Sequence, residues 1–131
     1  MKEIVKNEYY ELAYDASSNW VYWTMKGFWK NMTVVPDFES DWTKTMKETR
    51  KPFRIFADLS TLKAMPDDVK KANDSMQQKL MQNGCEKVAC LMDSALTKGA
   101  LNQVIKDSGM EKMVQYFTST ESDAAKNWLK G

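Results

Sequence analysis

The chain has no histidine among its 131 residues. That absence removes Ser–His and Cys–His nucleophile pairs, imidazole base catalysis and histidine metal ligation together. Cysteine is scarce as well. Cys85 and Cys90 are the whole supply, too few for a zinc site without other ligands. Read as members of one strand, the two face opposite ways and stand roughly 16 Å apart. A disulfide needs Cα atoms within about 7 Å, so both are expected as free thiols near the core, as suits a cytoplasmic protein. A cysteine nucleophile without histidine needs a lysine or helix end to lower its pKa, and Lys87 is poorly placed on a strand to do this for Cys85. The five glycines are scattered, so no glycine-rich phosphate loop forms. No segment approaches the roughly 20 apolar residues that cross a bilayer. Residues Met1 to Lys6 lack the apolar run of a secretory signal, so the expected compartment is the cytoplasm. Neither charge dominates: 19 basic residues against 18 acidic ones give a net charge of +1. A nucleic-acid binder needs a basic excess to displace counterions. The expectation from these absences is a non-enzyme with no catalytic residue, metal or cofactor.

What remains is strongly patterned. There is no internal repeat and no Pro/Gly-rich linker, so residues 1–131 are read as one domain. Glu8 to Ala16 alternates, with Tyr10, Leu12 and Tyr14 on one face. A polar turn, Asp15 to Asn19, leads to an aromatic run from Trp20 to Trp29, and the pair predicts an antiparallel hairpin. Gly27 inside the second run marks a bulge or a close backbone approach. Val35, Phe38, Trp42 and Met46 then follow a helical stripe, with Pro36 expected in its first turn. Phe53 to Leu59 reads as a buried strand and Ser60 to Met65 as a loop. Pro66-Asp67-Asp68 opens a helix with the stripe Val69, Ala72, Met76 and Leu80, closed by Asn83-Gly84. Lys87 to Met92 is the next strand. Asp93 or Ser94 caps a helix whose core side is Leu96, Ala100, Leu101, Val104 and Ile105. Met113 to Phe117 is the last strand, and Thr120 to Asp123 resembles a capping box before a helix that buries Trp128 and Leu129. The order β-β-α-β-α-β-α-β-α implies an α/β fold with a five-stranded mixed sheet and right-handed crossovers.

In such a sheet, ligands and partners meet the loops outside the carboxyl ends of the parallel strands. That places Ser60, Thr61, Lys63, Asp67, Ser94 and Lys98 as candidate ligand or partner residues. Asp37, Asp67, Asp68, Asp93 and Asp123 stand at the helix starts and oppose an anionic ligand. The aromatic hairpin supplies a second candidate surface. Trp20, Tyr22, Trp23 and Trp29 are interface candidates for a protein partner or a homodimer, unless helices cover both faces of the sheet. The ten methionines allow an adaptable apolar groove. The expected function is therefore a non-enzymatic regulatory or protein-interaction module, with a small apolar or lipid-like ligand carrier as the alternative.

The element order resembles the bacterial SpoIIAA-like, or STAS-like, fold of anti-sigma-factor antagonists. Tyr22-Trp23-Thr24-Met25-Lys26-Gly27-Phe28 is similar to the family's second strand with its glycine. Phe53 to Ser60 is similar to its third strand, which ends in Asp-Leu-Ser. The resemblance implies a module that binds a protein partner and is switched by phosphorylation of a serine or threonine where the second helix begins. This chain departs there: Ala64-Met65-Pro66-Asp67-Asp68 offers no hydroxyl, so the switch does not carry over to these positions. Ser60 and Thr61 are the nearest hydroxyls in the same loop. Sec14-like lipid carriers share the general fold, but this chain looks short for one.

Overall fold

The computed structural model describes residues 1–131, apart from the side chains of residues 95–97, 100, 101, 104 and 108. A six-stranded sheet forms the centre, in the order β1 (Lys2–Lys6), β2 (Tyr10–Asp15), β3 (Trp20–Met25), β5 (Phe53–Asp58), β7 (Cys85–Leu91), β8 (Val114–Phe117). The first three strands pair antiparallel and the remaining pairs are parallel. Two short strands, β4 (Gly27–Phe28) and β6 (Leu62–Ala64), make a separate parallel pair. The five-stranded expectation is thus corrected to six, the additional strand being β1 at the edge. Its charged residues Lys2, Glu3 and Lys6 are exposed and only Ile4 and Val5 turn partly inward. Charge on an edge strand hides its alternation, and it also protects the open edge from pairing with another chain.

The helices follow their apolar stripes. Helix α1 (Phe38–Glu48) buries Phe38, Asp41, Trp42 and Thr45; helix α2 (Asp67–Gln82) buries Val69, Asn73, Met76 and Leu80. Pro36 lies before α1 rather than in its first turn, and Asp37 is the N-cap. Helix α3 (Ala95–Ser108) buries Ile105. The predicted core positions Leu96, Ala100, Leu101 and Val104 lie outside the described side chains. Helix α4 (Ser122–Lys130) buries Ala125 and Leu129, while Trp128 is half-buried. Its capping box sits two residues earlier than predicted, at Thr118 and Glu121, and introduces a short 3-10 turn before the helix.

Crossovers that run β3–α1–β5–α2–β7–α3–β8 advance in one direction across the sheet, so right-handed connections set those helices on one face. Phe38, Trp42, Val69, Met76, Leu80 and Ile105 accordingly share one core cluster with Tyr10, Leu12, Val21 and Trp23. Helix α4 packs on the opposite face, where Ala125 and Leu129 meet Trp20, Phe56, Ala89 and Leu91. Along β7, Val88 and Cys90 point to the larger cluster and Ala89 and Leu91 to the smaller. An irregularity opposite Phe53 and Arg54 inserts Glu86 and turns Cys85 back to the larger cluster. The two cysteines therefore share a face, contrary to strict alternation, and both are free.

Asn19 fastens the far end. It adopts φ +59°, a left-handed conformation that asparagine tolerates. Its Nδ2 donates to the carbonyls of Arg50 and Pro52, and its Oδ1 accepts from the Tyr14 hydroxyl and the Arg50 amide.

Candidate functional site

Strands β3, β5, β7 and β8 all end at the same edge, and the loops beyond them form a rim. Gly27 starts it. Its φ of +65° turns the chain out of β3, a conformation that costs other residues a Cβ clash. Phe28 follows, paired with Ala64 of β6, and is 54% exposed. Apart from Met1, it is the exposed large apolar side chain among the described residues. Trp29 then turns inward and is fully buried. Its Nε1 donates to the carbonyls of Tyr9 (3.1 Å) and Lys26 (3.2 Å), and the Lys26 amide donates to the same Tyr9 carbonyl. The loop before α1 is also tied down: Asp68 Oδ2 accepts from the Met32 amide at 2.8 Å, while its Oδ1 accepts from Val69 N. Phe28 is therefore displayed on a platform fixed by a buried tryptophan behind it and by the start of α2 beside it.

The six loop residues expected from the sequence lie along this edge without converging on one centre. The Ser60 hydroxyl donates to Asp58 Oδ1 at 2.6 Å. Thr61 is exposed. Lys63 is exposed on β6, so the segment read as a loop contains a strand. Asp67 is almost fully exposed and stands 3.6 Å from Lys70. Ser94 is half-buried, and Lys98 is exposed with its ammonium 5.0 Å from the centre of the Tyr116 ring. Neighbouring Asp93 accepts from the Ser119 hydroxyl (2.6 Å) and amide (2.8 Å), bonds that hold its carboxyl below the usual carboxylate range. That tie between two rim loops is present above the ordinary carboxylate pKa. It is lost only as pH falls through the lowered value.

The aromatic candidates are placed differently. Trp20, Trp23 and Trp29 are buried and Tyr22 is half-buried. Trp23 packs among Tyr10, Trp29, Phe38 and Trp42, at 5.0 Å between ring centres for Trp42. Trp20 and Tyr22 stack towards Phe56 beside α4. The tryptophans thus build the two cores: helices cover both faces of β3 where Trp20 and Trp23 sit, and Trp29 joins the larger cluster beyond β4. Phe28, one more aromatic of the same run, is the member that reaches solvent. The glycine just before it is the signal that separates it from the others.

The two thiols of the chain lie buried on β7. Burial pushes the thiols of Cys85 and Cys90 up to about 12, which leaves almost no thiolate at neutral pH. Neither thiol is expected to react with Ellman's reagent at pH 8 in the native protein, and both should react after unfolding in guanidinium. Rapid native labelling of either would contradict the burial. Among the described residues, no three carboxylate, cysteine or histidine groups gather as a metal site, and no helix is long and apolar enough to cross a membrane.

A SpoIIAA-like family profile matches residues 34–130. The chain belongs to the SpoIIAA-like family. A search of solved structures supports the same fold: the chain is similar to an anti-sigma factor antagonist from Mycobacterium paratuberculosis, with a TM-score of 0.61. That likeness spans 96% of this chain and 98% of the other at 13% identity. No curated protein matches significantly. Within this SpoIIAA-like chain, the family region begins at Val34 and so takes in α1 to α4, whereas β1–β3 and Phe28 itself precede it.

Proposed function

We propose that this SpoIIAA-like chain is a single-domain, non-enzymatic cytoplasmic regulatory module that docks a protein partner on the platform around Phe28. The observation that carries the reading is an exposed aromatic on a rigid support. Interface energy concentrates in a few anchors of this kind. A fixed loop gives up little conformational entropy when a partner binds. The solved structure it resembles is that of an anti-sigma factor antagonist, so an anti-sigma factor is the first partner class to test. Phosphorylation at the start of α2 is not part of the reading: Pro66, Asp67 and Asp68 occupy that place, and Asp68 already bonds Met32 and Val69. The lipid-carrier alternative is disfavoured by size. The apolar cavity beneath α2 is about 60 Å³, under half the ~150 Å³ that admits benzene.

The test compares wild type with Phe28→Asp in quantitative capture of partners from the source cells. Charge at a central anchor costs 2 kcal/mol or more, about 30-fold in affinity. Proteins retained by wild type and by an outer-face α1 variant, Thr43→Asp, should be lost selectively from Phe28→Asp. Equal melting temperatures must accompany the loss. Identical capture by all three proteins would end the proposal. A mass that doubles with concentration in light scattering, and is abolished by Phe28→Asp, would replace the heterologous partner with a second copy of this chain.

A further inference from the structure

The cavity of about 60 Å³ lies between the sheet and the helices α2 and α3, with Trp42 of α1 closing one side. Trp23 and Ala57 bound it from the sheet, and Met76 and Leu80 from α2. Three side chains with polar atoms interrupt this apolar lining: Trp42, Asn73 and Gln77. Trp42 is 2% exposed, and its Nε1 has no hydrogen-bond partner. The comparison with Trp29 is direct, for that equally buried indole has two carbonyl acceptors. Buried donors are rarely left unmatched, so an acceptor from outside the chain, a water or a ligand, would complete Trp42. Asn73 has committed its Nδ2 to the Val69 carbonyl at 2.9 Å. One ordered water needs only about 10–15 Å³ and two to four polar partners. The space is several times larger and its remaining walls are apolar. A body with methyl or methylene surface fills that remainder better than water does, and the unbranched Met76 side chain adjusts to its shape.

We propose that this cavity is a binding site for a compact neutral molecule that carries one hydrogen-bond acceptor on a small apolar body, with the acceptor seated on Trp42 Nε1–H. This assignment is independent of the docking platform. Acetone serves as the probe, because it joins one carbonyl acceptor to methyl groups. In ¹H–¹⁵N spectra of the full chain, the five indole resonances report separately, and Trp42→Phe identifies the relevant one. The Trp42 signal is expected to shift saturably with acetone while that of Trp29 stays in place. Xenon should perturb the Met76 methyl at the same site. Met76→Trp, or the milder Met76→Phe if the first fails to fold, should weaken the acetone response about tenfold or more by filling the space. A response that is non-saturating or equal for all indoles would overturn the proposal. So would a Trp42 N–H that contacts only a bound water which acetone never displaces.

Discussion

Replacing Trp29 by alanine is expected to destabilise the fold by about 3–5 kcal/mol. The side chain is wholly buried and packs against Tyr10, Trp23 and Phe38. Its removal leaves a cavity that a sheet-and-helix sandwich closes only in part. It also strips a donor from the carbonyls of Tyr9 and Lys26, of which the Tyr9 carbonyl keeps the Lys26 amide. A domain of this size holds roughly 5–15 kcal/mol of net stability. The melting temperature should therefore drop by roughly 10–20 °C. The neighbouring substitution, Phe28→Ala, removes a half-exposed ring and should change stability by no more than about 0.5 kcal/mol. Urea denaturation of the two variants measures this contrast. Similar losses for both, or none for Trp29→Ala, would mean that the aromatic run is oriented the other way.

The second large effect is expected at Tyr10. Its hydroxyl donates to Asp41 Oδ2 at 2.5 Å, inside the contact between β2 and α1. Burial, together with the Asp41 carboxylate, holds the phenol protonated far above its ordinary range. Tyr10→Phe keeps the ring packing but takes away the donor. The Asp41 side chain is only 10% exposed, with Lys44 4.0 Å from it. Loss of a hydrogen bond to a charged group costs about 1.5–3 kcal/mol, and the unpaired acceptor accounts for most of it. Asp41→Asn in the Tyr10→Phe background should add little further cost, since the two groups act as a pair. A double-mutant cycle by urea denaturation checks this. A coupling below about 0.5 kcal/mol would show that the bond contributes nothing net.

Much of this architecture was legible in the residues. Helices α1 and α2 follow directly from the spacing of Phe38 and Trp42, and of Val69, Met76 and Leu80. Three features were hidden for physical reasons. In β1, charges at Lys2, Glu3 and Lys6 mask a strand whose apolar content is only Ile4 and Val5. In β7, the extra residue at Glu86 reverses the facing of Cys85, and a bulge of this sort leaves no trace in composition. At α4, the capping box starts at Thr118 instead of Thr120. It forms because the longer glutamate arm of Glu121 reaches back to the Thr118 amide and hydroxyl. The candidate site was legible as an edge but not as a point. Ser60, Lys63 and Asp67 do lie along this edge, because parallel strands end together. An aromatic run of uniform hydrophobicity does not reveal which ring faces water. That choice is made by the Gly27 turn and by the two carbonyls that take the Trp29 indole.

Site-specific photo-crosslinking is the most direct measurement of how this surface is used. A photoreactive phenylalanine analogue placed at position 28, and separately at position 43 on the outer face of α1, compares the rim with an ordinary helix surface in the source cells. A discrete heterologous protein adduct from position 28, absent from position 43, is the predicted result. Adducts from position 43 with none from position 28 would contradict a partner surface built around Phe28.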